Sequence, residues 1–124
     1  MKKLTVSLVS DGRPLFQQVE IADTLWTRFK GLQLRKNLQS NAGILLVPGN
    51  SIHMFFMRFP IDAIFLDADN RIMKIAADLK PWRSMAVAKG AHSILEVGAG
   101  RAEEEGLSVG DKLQIIPVKT DGKQ

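Results

Sequence analysis

Four short apolar stretches, 44–47, 52–57, 61–66 and 71–77, follow one another with no helical period between them, and each has the length and the Ile, Val and Phe content of a β-strand. Pro48-Gly49-Asn50, Phe59-Pro60 and Asp67-Ala68-Asp69-Asn70 separate them with turn chemistry. Turns spaced about ten residues apart point to a mainly β fold, an antiparallel sandwich or small barrel, and not to alternating β and α units. Because these runs are apolar at nearly every position, they read as central strands covered on both faces.

The flanks fit the same frame. Leu4, Val6 and Leu8 alternate with Thr5 and Ser7, Asp11-Gly12 supplies a turn, and Leu15, Val19 and Ile21 return opposite Gln18 and Glu20, which predicts a hairpin. Asp23-Thr24 can cap a short helix near 24–31 whose stripe is Leu25, Phe29 and Leu32 and whose end is Gly31. Residues 80–92 show no period and read as a long loop carrying Trp82 and Arg83, while 94–97 read as a strand. A helical turn is expected near 101–105, a last strand over 113–118 and a polar tail at 120–124.

The 124 residues suit a single domain, 1–124, and an apolar share of 45% with a charged share of 24% is that of a globular chain. The first 41 residues hold seven basic and three acidic side chains, the rest ten of each, giving the net +4. That margin suits solubility, and with no interleaved stripe of aromatic and basic residues nucleic acid is not the expected partner. No window reaches the length of a membrane span, and Asp11 interrupts the only stretch resembling a leader, so a cytoplasmic protein is expected.

Several chemistries lack their residues. The chain has no Cys, hence no disulfide, thiolate metal site or Cys nucleophile. Gly98-Ala99-Gly100 stands where a dinucleotide fingerprint would, but Glu103 occupies the closing position and Glu103, Glu104 and Glu105 would repel a pyrophosphate. His53 and His92 have no metal-ligand spacing, and Asp67 and Asp69 open a calcium-loop pattern that Arg71 breaks, which makes them turn formers. No Ser lies in a nucleophile elbow. Neither a cofactor nor a metal is expected.

Polar residues inside or beside the apolar runs are the site candidates: His53, Arg58, Asp62, Trp82, Arg83 and Glu96. Alternation puts Asp62 on the face of Ile64 and Leu66, Glu96 on the face of Ile94, and His53 with Phe55 and Met57. Buried unpaired, such groups cost several kcal/mol. Either Asp62 accepts backbone amides at the bend after Pro60 with Arg58 as counter-ion, or these groups line a pocket, with Arg28 or Arg35 beside Glu96. The pocket reading makes the protein a non-catalytic binding or accessory domain for a small molecule or a partner protein, with Asp62→Ala abolishing binding in a folded chain. The alternatives are a hydrolase or isomerase using Asp62 or Glu96 as general base with His53 or an arginine supporting charge, and a nucleic-acid accessory protein.

Five blocks in order carry a family resemblance over about residues 22–113: Arg28-Phe29-Lys30-Gly31-Leu32 with Arg35; Gly43-Ile44-Leu45-Leu46; Phe56-Met57 leading to Pro60-Ile61-Asp62 and Phe65-Leu66-Asp67; Leu95-Glu96 with Ala99-Gly100; and Gly106-Leu107 with Gly110-Asp111. Together they make a chain that resembles the bacterial and archaeal family called domain of unknown function 192. The resemblance implies a compact, mainly β domain of sandwich or jelly-roll type and implies no activity. Many members look exported and carry Trp where Phe56 stands, followed by a longer polar segment before the Pro and Asp; here Arg58-Phe59 replaces that segment.

Overall fold

The computed structural model describes residues 2–24, 27 and 38–118. Of the helix expected near 24–31, Thr24 and Thr27 fall within them. The Thr27 amide donates to Thr24 Oγ1 at 3.0 Å and the Thr24 amide to Thr27 Oγ1 at 3.1 Å, a reciprocal cap at a helix start. The rest of that helix and the 120–124 tail lie outside the described residues.

Among the described residues, nine strands and one further helical turn follow in order: β1 (Lys3–Leu8), β2 (Pro14–Ala22), β3 (Ala42–Leu46), β4 (Ser51–His53), β5 (Ile61–Leu66), β6 (Ile72–Leu79), β7 (Met85–Val87), β8 (Ser93–Gly98), α1 (Arg101–Glu104) and β9 (Leu113–Pro117). Seven form one sheet in the order β6-β5-β8-β3-β2-β1-β9, and β4 pairs with β7 in a separate ribbon. The β1–β2 hairpin forms as the alternation demands, but register shifts around Val6 rotate the returning strand, so Phe16 joins Leu15 and Val19 in the core. All pairs in the sheet are antiparallel except β2 with β3, which run parallel.

The sheet curls into a half-barrel. Its two end strands meet at one corner, where Arg71 bridges Lys112 and the Leu113 amide donates to the Asn70 carbonyl at 2.9 Å. The turn into β6 is built by Asp67, whose Oδ1 accepts the amides of Asp69 and Arg71, the Asx geometry of a turn former.

Two apolar clusters lie on opposite faces of the sheet. The curl closes around Leu4, Val6, Phe16, Leu95, Val97 and Leu113 among others. The other face carries Ile44, Ile61, Phe65 and Ile94 and is covered by the β4–β7 ribbon through Ile52, Met54 and Ala86. Strands β5 and β8 therefore bury both faces, which is why their sequences are apolar at nearly every position. Close approach of β3 to β8 depends on Gly43, where an added Cβ would sit 2.7 Å from the Glu96 carbonyl oxygen and 3.0 Å from Val97 Cγ1. Backbone cannot yield as a side chain can, so Gly43→Ala is expected to destabilise the fold by about 1–3 kcal/mol, measurable in urea unfolding.

α1 is short and stands on its arginines. The Arg101 guanidinium donates to Glu104 at 2.7 Å, Glu105 at 3.0 Å and the Ser40 carbonyl at 2.7 Å, and lies over the Phe16 ring. Arg13 reaches Glu105 from the β1–β2 hairpin. Two of the three consecutive glutamates thus serve as anchors for arginines.

Candidate functional site

Asp62 is 1% exposed, on the face of Ile64 and Leu66 as alternation requires. Its Oδ1 accepts the Asp78 amide at 2.9 Å, and its Oδ2 accepts the amides of Gly100 at 3.1 Å and Ala102 at 3.0 Å. Each donor needs an outside partner. Asp78 sits where the β5–β6 register slips between Ile61 and Ala63, in a left-handed conformation with φ 54°, and Ala102 lies in the first turn of α1, where no preceding carbonyl is available. The carboxylate therefore ties β5, the β6 bulge and the start of α1 together. The expected local reading holds in kind, since Asp62 does accept backbone amides, but these come from β6 and α1 instead of the bend after Pro60. Arg58 is exposed and is no partner of Asp62. A cleft of about 490 Å³ opens beside it, lined by Ile75, Ala77, Asp78, Gly100 and Leu107 among others.

Glu96, in the middle of β8, is 6% exposed. The register pairs Asp62 with Val97 and Ala63 with Glu96, and directly paired residues share a face, so Asp62 and Glu96 point to opposite sides of the sheet. They share no cleft. Glu96 faces the cluster of Ile44, Ala63 and Ile94, and among the described residues no donor bonds its carboxyl. Burial pushes its pKa up from 4.5 to about 8, so it is largely protonated at neutral pH. The arginines considered beside it, Arg28 and Arg35, lie outside the described residues.

His53, Arg58, Trp82 and Arg83 are all on the surface. The expected strand over 52–57 ends at His53, where the chain makes a turn closed by the Met57 amide donating to the Met54 carbonyl at 3.3 Å. Buried Met54 and Met57 anchor this turn to the core and send Phe55 and Phe56 outward. Apolar content on both faces, read from sequence as a covered strand, here divides between anchors and an exposed tip. Phe56 has φ 67°, a place in the turn that Gly ordinarily takes, and Trp82 has φ 69°. Each such conformation costs a bulky residue about 1–3 kcal/mol. The Trp82 amide donates to the Met54 carbonyl at 2.7 Å and the Met54 amide to the Ser84 carbonyl at 3.0 Å, which locks the two turns side by side.

The result is one outward face. Phe56 and Trp82 pack edge to face with centroids 5.0 Å apart, and Phe55 lies on His53 at 5.1 Å. His53 pairs with Met85, and Ser51 with Val87, on the solvent side of the ribbon. Part of the expected loop 80–92 is thus strand β7, whose alternation buries Ala86 and exposes its neighbours. The structure brings His53 and Trp82 to this face and separates them from Asp62 and Glu96. Sequence reasoning missed Phe55, Phe56, Met85 and Val87; the available signal was the alternation Met85-Ala86-Val87 inside a stretch taken as patternless.

The chain's likenesses agree with this architecture. The DUF192 family model, described as an uncharacterized ACR, matches residues 6–115. A UPF0127 protein of Thermococcus sibiricus is 36% identical over 107 residues, covering 82% of this chain and 68% of the relative, and one of Pyrococcus furiosus is 33% identical over 86% of this chain and 93% of its own. A crystal structure of a protein of unknown function from Novosphingobium aromaticivorans superposes with TM-score 0.79 at 32% identity, over 90% of this chain and 83% of that one. A Sinorhizobium meliloti structure, described as a candidate transcription regulator, gives 0.79 at 25% identity over 91% and 92%. With a family model spanning most of its length and relatives above 30% identity, the chain belongs to the DUF192 family of uncharacterised proteins.

Proposed function

We propose that the protein is a non-catalytic binding domain, acting as one unit in the cytoplasm, whose contact surface is the face built by Phe55, Phe56, Trp82, Met85 and Val87. The observation that carries this reading is their exposure: 52%, 47%, 56%, 76% and 57%, concentrated on one short ribbon and its two turns. Large contiguous apolar patches on soluble domains mark interaction surfaces. Left-handed backbone at Phe56 and Trp82 adds support, since these half-exposed rings gain only their mutual contact from it, and such strain clusters at functional sites. The acid–base alternative draws no support from the geometry, because Asp62 is occupied by amides and Glu96 is buried on the other face.

The same strain supplies a clean test. Glycine accepts positive φ, so Phe56→Gly with Trp82→Gly relieves two strained residues while losing one ring contact worth about 0.5–1.5 kcal/mol. Its melting midpoint is expected within a few degrees of the parent. Wild type and variant would be titrated against a panel of peptides, oligonucleotides, nucleotides and lipid vesicles. Expected is at least one binder that weakens tenfold or more in the folded variant. A binder indifferent to both substitutions, or a panel without any binder, would overturn the reading.

A further inference from the structure

Resting on that reading, we infer that the occupant of this face is an anionic lipid surface, met by the aromatic turns and held by the cations of the two segments that build the face. Charge is the first argument. The two segments that build the face, 51–60 and 79–92, contain Arg58, Lys80, Arg83 and Lys89 and not one Asp or Glu. The net charge of the whole chain is +4, and these two segments contribute as much by themselves. Lys80 pairs with Asp78 at 2.8 Å, whereas Arg58, Arg83 and Lys89 have no acidic partner among the described residues. A partner that covers the apolar side chains therefore gains by presenting negative charge at the rim.

Shape is the second argument. Phe55 and Phe56 sit at the tip of one turn and Trp82 on its neighbour, and the clefts beside Asp62, Gln18, Phe59 and Pro48 are lined by other side chains. A small molecule or a peptide helix needs a concave seat, which protruding rings do not provide. Strand addition is poorly served as well. β7 is three residues long, and Lys74 Nζ already takes the Val87 carbonyl at 2.9 Å. Single-strand readers stack bases on ring faces, a task for which Met85 and Val87 offer nothing. A bilayer asks for no groove. Trp and Phe rings settle at the depth of the headgroups, aliphatic side chains reach the acyl boundary, and Arg and Lys meet the phosphates. The cytoplasmic leaflet supplies the matching negative surface.

The test is co-sedimentation of the full chain with vesicles of phosphatidylcholine containing one third phosphatidylglycerol, against vesicles of phosphatidylcholine alone, at low and high salt. Partitioning is expected to favour the anionic vesicles and to fall with salt. Arg58→Gln with Arg83→Gln and Lys89→Gln should weaken it about a hundredfold, roughly fivefold per cation. Phe56→Gly with Trp82→Gly should weaken it at least tenfold. Equal partitioning to both vesicle types, or no loss in the triple variant, overturns the lipid assignment. If a peptide or oligonucleotide binds through Phe56 and Trp82 while vesicles do not, the lipid assignment falls and the binding face stands. Vesicle binding that ignores Phe56 and Trp82, or no binding of any class, removes both.

Discussion

Asp62→Ala is expected to lower stability by on the order of 4 kcal/mol and the melting midpoint by about 15 °C, because it leaves three amides without an acceptor. Hydrogen bonds to a charged acceptor contribute about 1.5–3 kcal/mol each, and the loss is greatest at Ala102, the buried donor. Asp62→Asn keeps one acceptor oxygen but turns an NH₂ toward an amide donor, so it should fall between wild type and Ala. Urea unfolding of the three proteins would establish the order. An Ala variant melting within a few degrees of the parent would show that water replaces the carboxylate, and the account of Asp62 as a tie between β5, β6 and α1 would fail. This also bears on how binding is tested: a ligand lost on Asp62→Ala reports a weakened fold before it reports a lost contact.

Glu96→Gln is expected to act in the opposite direction, by an amount that grows as pH rises from about 4.5 to about 8. In the unfolded chain this carboxyl ionises near 4.5, while burial holds it protonated in the folded chain until about pH 8. The folded state therefore binds the extra proton throughout that window, and unfolding releases it. The sign follows: the contribution is fully present below pH 4.5 and is lost as pH rises through 8, at up to about 1.4 kcal/mol per pH unit. Glutamine carries no charge at any pH and lacks this slope. At pH 5 the two proteins should melt at similar temperatures; at pH 9 the Gln variant should melt about 10 °C or more above the parent. Parallel curves between pH 5 and 9 would mean that the carboxylate finds a donor or water when it ionises.

Much of the fold was legible because its causes are local. The Leu4-Val6-Leu8 alternation, the Asp67 turn and the two-sided burial of β5 each follow from residues close in sequence, and each element stands where its pattern put it. The faces of Asp62 and Glu96 within their own strands were legible for the same reason. What they share was not. Whether two polar residues on neighbouring strands meet depends on register, and slipping β5 against β8 by one residue would have put Asp62 and Glu96 on the same side.

Tertiary structure also decided the fate of 52–57. A run of Phe and Met satisfies the preferences of a covered strand, and nothing within it says where the chain must turn. The turn arises because Met54 and Met57 both find space under the ribbon while Ser84 and Trp82 take the Met54 backbone, an arrangement that exists only once β4 and β7 have paired. The chain's own residues dictated a mainly β domain with a buried Asp and a buried Glu. Only assembly brought the aromatic side chains of segments 51–60 and 79–92 onto one face, because these segments become neighbours through long-range pairing that no local period encodes.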